Sequence, residues 1–111
     1  MKRATISTCD GACPVQRSLE ILDGKWTLLV LRELLTGTKR FGELRRAVGE
    51  VNPKTLTDRL RVLEGHDILQ RQVFAEVPPR VEYTLTEKGR ALAPVIQSLA
   101  VWGSKWTRAE T

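Results

Sequence analysis

The chain has 111 residues and a mass of 12.5 kDa, which suffices for one domain with a modest core, so a second catalytic or sensory domain is not expected. Its 18 Lys and Arg against 13 Asp and Glu give a net charge of +5 and a pI near 9.7, an excess that points to a polyanionic partner. The longest aliphatic run, Leu28-Leu29-Val30-Leu31, is far too short for the roughly 20 residues that cross a bilayer, and no apolar leader opens the chain, so no membrane role and a cytoplasmic location are expected.

Residues 1–12 are rich in Thr, Ser, Gly and Ala without hydrophobic periodicity and are expected to form a flexible N-terminal arm. Order should begin at Cys13-Pro14, because proline suits a first helical position where its missing N–H costs nothing, and Cys13 becomes the N-cap of a helix to about Leu22. Val15, Leu19 and Leu22 give that helix one apolar stripe. Asp23 is the next expected cap, opening a helix whose Trp26, Leu28, Leu29, Val30, Leu31, Leu34 and Leu35 surround the axis and therefore belong at the centre.

Thr36-Gly37-Thr38 interrupts the pattern, after which Phe41, Leu44, Ala47 and Val48 repeat at helical spacing. A turn at Gly49-Glu50-Val51 leads to Asn52-Pro53, a cap followed by a first-turn proline, with Leu56, Leu60 and Leu63 on the inner face. Two short helices across a tight turn spell helix-turn-helix. After Gly65 the period changes to two, loosely at Leu69, Arg71, Val73 and Ala75 and cleanly at Val81, Tyr83 and Leu85. Glu76-Val77-Pro78-Pro79 separates the two runs and cannot donate a full ladder, so the unit is a β-hairpin with a projecting tip, a wing formed by Pro78, Pro79 and Arg80. Thr86 caps a last helix that carries Leu92, Val95, Ile96, Leu99, Trp102 and Trp106 on one stripe and should kink or break near Pro94. The expected fold is mainly α with a small β-hairpin, a winged helix-turn-helix spanning residues 13–106, followed by a tail at 107–111.

The largest local charge excess, six Lys and Arg against two acidic residues, lies in residues 24–47. Lys39, Arg40, Arg45 and Arg46 surround the first helix of the pair, which crosses the phosphate backbone when the second enters a major groove. A solvated surface is the plain alternative, and it is the position beside the helix pair that favours nucleic acid. On the second helix the apolar residues point inward, leaving Lys54, Thr55, Asp58, Arg59 and Arg61 outward. Lys54, Thr55 and Arg59 are the candidates for base edges, and Asp58 either accepts from a cytosine amino group or orients a neighbouring arginine. Arg80 is either a minor-groove finger or ordinary surface.

The series Cys13-Pro14-Val15, Gly24-Lys25-Trp26, Arg32-Glu33-Leu34, Arg40-Phe41-Gly42-Glu43-Leu44-Arg45-Arg46, Lys54-Thr55-Leu56, Arg59-Leu60, Leu63-Glu64, Tyr83-Thr84-Leu85-Thr86, Gly89 and Trp102 resembles the HxlR-type winged helix-turn-helix transcriptional regulators over roughly residues 12 to 106. The resemblance implies a homodimer joined through its first and last helices, with a cysteine at the Cys13 position that in several members senses oxidants or electrophiles. One departure is Asp67, where the family usually has glycine.

Independently, an N-cap Cys13 would lie at the positive end of a helix dipole, which favours the thiolate that oxidants attack, and Cys9 could resolve the product into a disulfide. Burial of Cys13 as a packing residue and an idle Cys9 form the alternative. Val15, Leu19, Leu99, Trp102 and Trp106 are the expected dimer contacts; the two tryptophans either cross a two-fold axis or close the monomer's own core. Two helices about 34 Å apart would read two half-sites on one face of double-stranded DNA.

Cys9, Cys13 and His66 provide three ligands where a structural zinc site takes four, so no metal is expected, nor any cofactor. A lone histidine and the absence of phosphate-binding or nucleophile-elbow motifs argue against an enzyme. The expected function is sequence-specific DNA-binding transcriptional regulation, by repression, with a response to an oxidant or electrophile through Cys13. A winged-helix protein-interaction module without operator recognition is the alternative.

Overall fold

The computed structural model describes residues 13–108. In chain order they form α1 (Pro14–Leu22), α2 (Thr27–Leu34), β1 (Lys39–Arg40), α3 (Phe41–Ala47), α4 (Pro53–Gly65), β2 (Leu69–Phe74), β3 (Arg80–Leu85), α5 (Glu87–Arg90) and α6 (Ala93–Trp106). The arm at 1–12 and residues 109–111 lie outside the described residues. This is the winged helix-turn-helix expected from the sequence, with two local differences and one expected break.

First, α2 begins at Thr27 rather than beside Asp23. Asp23 accepts from the amide of Gly24 at 2.9 Å, and its carbonyl accepts from the buried Thr27 hydroxyl at 2.8 Å, so the residue shapes a turn instead of a cap. Second, Lys39 and Arg40 form a short strand that pairs with Tyr83 and Glu82, giving an antiparallel sheet in the order β1-β3-β2. Third, the last helical pattern divides into α5 and α6, with Pro94 in the first turn of α6. That is the break expected from a ring that removes a backbone donor.

The core gathers Val30, Leu31 and Leu34 of α2, Leu44 of α3, Leu56, Leu60 and Leu63 of α4, and Leu69, Tyr83 and Leu85 of the sheet. Each fully buried leucine contributes roughly 2 kcal/mol by removal from water. From α6 only Ile96 joins this core as a buried residue, and α1 contributes none to it. Ala47, on the expected inner stripe of α3, is exposed, while Val48, on the same stripe, is buried.

The end of α4 explains the departure at Asp67. The amide of Ile68 donates to the Leu63 carbonyl at 2.9 Å and that of Asp67 to Glu64 at 3.0 Å, the paired bonds of a Schellman cap. Its first residue past the helix must adopt a left-handed conformation, and Asp67 has φ +61°. Glycine does this without steric cost; aspartate tolerates it better than most side chains.

Burial pushes the Tyr83 phenol above its ordinary value of 10.0, with Arg71 and Arg61 pulling it back and Glu64 adding to the rise. Below pH 10 both folded and unfolded chains keep the proton, so stability is unaffected. Above it the unfolded chain ionises first, and stability should fall as pH rises toward the folded-state pKa. Tyr83 is the sole tyrosine, so its tyrosinate absorbance reports directly. We expect a midpoint above 10 in the native protein and loss of this component in Tyr83→Phe; a native midpoint at or below 10 would contradict the burial.

Candidate nucleic-acid interface

The start of α4 is built by its own sequence. Asn52 Oδ1 accepts from the amides of Lys54 at 2.8 Å and Thr55 at 3.4 Å, and Pro53 fills the next position without wasting a donor. Leu56, Leu60 and Leu63 are buried at 0%, 2% and 0% exposure. The opposite side therefore faces solvent, with Lys54, Asp58 and Arg61 at its centre by helical spacing. Lys54 Nζ lies 3.2 Å from Asp58 Oδ2, and its side chain is 84% exposed. Asp58 thus pairs with Lys54 here, rather than with the neighbouring arginine expected of it.

Arg59 sits on the flank of this face, half-buried. Its guanidinium lies against the backbone of Gly24, 3.1 Å from the point where a side chain there would start. Thr55 is also half-buried, at the edge of the exposed face. Arg61, which the sequence reading placed outward without assigning it a contact, is exposed, and among the described residues it has no ion-pair partner.

The four basic residues around α3 divide into two kinds. Arg45 holds the turn between α3 and α4. Its Nε donates to the Val51 carbonyl at 2.8 Å, its backbone carbonyl accepts from Glu50 at 2.8 Å, and Nη1 lies 3.7 Å from Glu50 Oε1. The Nε donor of Arg45 is thus committed to the turn, while its two terminal nitrogens make no hydrogen bond among the described residues. Lys39 Nζ donates to the Thr36 hydroxyl at 2.7 Å. Among the described residues the guanidiniums of Arg40 and Arg46 have no carboxylate at ion-pair distance, and both side chains are exposed.

At the wing, Val77, Pro78 and Pro79 project into solvent as expected. Arg80 does not project. It packs on the Phe74 ring and pairs with Glu76 and Glu82, so an outward finger is not its resting arrangement. The sequence held a signal for this, since Arg80 and Glu82 are two apart on one strand and must share a face.

Cys13 is the N-cap of α1, buried at 6% exposure. Its sulfur makes no capping hydrogen bond, and it is disulfide-bonded, so the expected thiolate at the helix end is not the state present. Cys9, the other cysteine of the sequence, lies outside the described residues. No group of three or more metal-ligating side chains occurs among the described residues, and none of their helices is long and apolar enough to cross a membrane.

α1 and α6 each expose large apolar side chains. Val15 and Leu19 are 55% and 58% exposed, and Leu99, Trp102 and Trp106 are 49%, 59% and 66% exposed. The tryptophans do not close the core of their own chain. Pro94, Val95, Ser98, Leu99 and Trp102 line an open apolar groove along α6.

With this geometry in hand, three comparisons bear on the chain. The family model described as HxlR-like helix-turn-helix matches residues 21–111. An HTH-type transcriptional regulator from Synechocystis is 48% identical over 99 residues, covering 89% of this chain and 73% of that protein. Among solved structures, a MarR-family transcriptional regulator from Porphyromonas gingivalis W83 superposes with a TM-score of 0.84 at 40% identity, over 88% of this chain and 96% of that one. The redox regulator HypR in its oxidised form superposes with a TM-score of 0.81 at 39% identity, over 87% of this chain and all of that one (100%).

Proposed function

We infer, for a chain that belongs to the HxlR-like helix-turn-helix family of transcriptional regulators, that it acts in the cytoplasm as a homodimeric repressor binding a palindromic site in double-stranded DNA. The observation that carries this reading is the solvent face of α4, polar and cationic beside the unpaired guanidiniums of Arg40 and Arg46, while the opposite side of the same helix is sealed in the core. That solvent face suits insertion into a major groove, with Lys54, Thr55 and Asp58 near base edges, Arg59 at the flank, and Lys39, Arg40 and Arg46 on phosphates. Arg45 supports the same contacts by fixing the turn.

Cys13 is the switch in this reading. A peroxide would accept two electrons from its thiolate, giving a sulfenic acid and hydroxide. The Cys9 thiol would then displace the sulfenic oxygen as water to leave a disulfide. The likeness to HypR, solved in reduced and oxidised forms, favours this role.

The test is selection of bound duplexes from a random pool with reduced and oxidised protein, followed by a salt titration on the selected site. We expect a two-fold symmetric motif, and an affinity that falls by roughly 10³ or more between 50 and 200 mM salt for about six phosphate contacts. Arg40→Ala and Arg46→Ala should each lower the logarithmic salt slope by about 1. Failure to enrich any motif, or affinity indifferent to salt, would refute the reading.

A further inference from the structure

The wing carries its own counter-charges. The Arg80 guanidinium lies 4.0 Å from the centre of the Phe74 ring. Its Nη1 is 2.8 Å from Glu76 Oε2, and its Nε is 3.1 Å from Glu82 Oε2. Both contacts are ion pairs by distance, the one to Glu76 the shorter, and Nε is a buried donor without a hydrogen-bond partner among the described residues. Arg80 is thus held by charge, most closely by Glu76, with donor capacity left over.

Only 26% of the Arg80 side chain is exposed, against 48% for Glu76. Glu76 stands in the loop at the tip, whereas Glu82 is fixed in β3 between the neighbouring strands. The cross-strand neighbour of Glu82 on β1 is Arg40. Arg40, Phe41 and Gly42 form one wall of a groove of about 420 Å³, and the wing from Glu76 to Val81 forms the other. Two guanidinium-bearing residues therefore line one groove, and only one of them is matched by carboxylates.

We propose that this groove receives a backbone phosphate of DNA, with Arg40 as its standing cation and Glu76 as a gate that holds Arg80 until the phosphate takes its place. A phosphate offers the same paired acceptor oxygens to a guanidinium as a carboxylate does. The exchange swaps one anion for another on Arg80 while its stacking on Phe74 persists. Glu76 is the displaceable partner because it is on the loop and the more exposed. In the unbound protein the wing is electrostatically muted, and its arginine acts only where a phosphate comes close enough to compete.

This proposal rests on the DNA-binding reading, and a double-mutant cycle separates the two. Binding of the full chain to its selected duplex is measured by fluorescence anisotropy for wild type, Glu76→Gln, Arg80→Ala and the double variant, with thermal melts confirming that each is folded. Glu76→Gln should tighten binding about three- to tenfold when Arg80 is present, and by less than about twofold in the Arg80→Ala background. An equal gain in both backgrounds would reduce Glu76 to a general repulsive charge and overturn the gate, as would no gain at all. If the wild-type chain binds no duplex, the functional reading itself fails.

Discussion

Replacing Gly89 with alanine is expected to destabilise the domain by about 3 kcal/mol, at the upper end of what overpacking ordinarily costs. A Cβ built at Gly89 would fall 2.2 Å from the carbonyl oxygen of Ile68 and 3.0 Å from Leu85 Cδ2. The first obstacle is backbone and cannot swing aside. That carbonyl is also in demand, since it accepts from the Thr86 amide at 3.0 Å and the Thr86 hydroxyl at 3.1 Å. Lys88 Nζ donates to the His66 carbonyl at 2.8 Å, so the start of α5 is fastened to the chain leaving α4 at several points. A methyl group at Gly89 would force these apart. In thermal unfolding followed by circular dichroism, a loss of about 3 kcal/mol corresponds to roughly 12–24 °C for a domain of this size. A melting temperature within about 2 °C of wild type would mean that α5 can shift without cost.

The second large effect is expected at the far end of α6. Trp102 and Trp106 expose more than half of their surface while the core beneath them is complete, and Val15 and Leu19 of α1 are similarly open. In a homodimer joined through these helices the tryptophans are anchors, each contributing roughly 2 kcal/mol to association. The double variant Trp102→Ala, Trp106→Ala should then weaken the dimer by about three orders of magnitude. In sedimentation equilibrium the wild type should give about twice the 12.5 kDa chain mass, and the variant about the chain mass itself with an unchanged far-ultraviolet spectrum. A variant that stays dimeric would place the subunit contact elsewhere.

Local chemistry was legible in the sequence and long-range partnership was not. Cys13-Pro14, Asn52-Pro53 and Thr86 mark helix starts because a cap and its first turn lie within four residues of each other. Pro94 breaks the last helix for an equally local reason. By contrast β1 exists because Lys39 and Arg40 meet residues more than forty positions away, and two residues carry no period to announce it. The same limit governs the basic residues. Counting charges gave Lys39, Arg40, Arg45 and Arg46 equal standing and left Arg80 open, but the Val51 carbonyl takes the Nε donor of Arg45, while Glu76 and Glu82 pair with Arg80. A cation's availability depends on which acceptors the fold delivers to it. Asp67 is the converse case: the resemblance marks the position as glycine, and the left-handed φ of +61° supplies the reason.

The turn from Asp23 to Trp26 lies against α4 and the bend that precedes it. The Arg59 guanidinium roofs Gly24, and Trp26 Cζ3 lies 3.9 Å from where a side chain on Gly49 would begin. A side chain at position 24 would meet the Arg59 guanidinium at 3.1 Å, on a backbone whose φ of +102° already favours glycine, so the residue that closes α1 also keeps clear the space in which an arginine of the groove-facing helix lies.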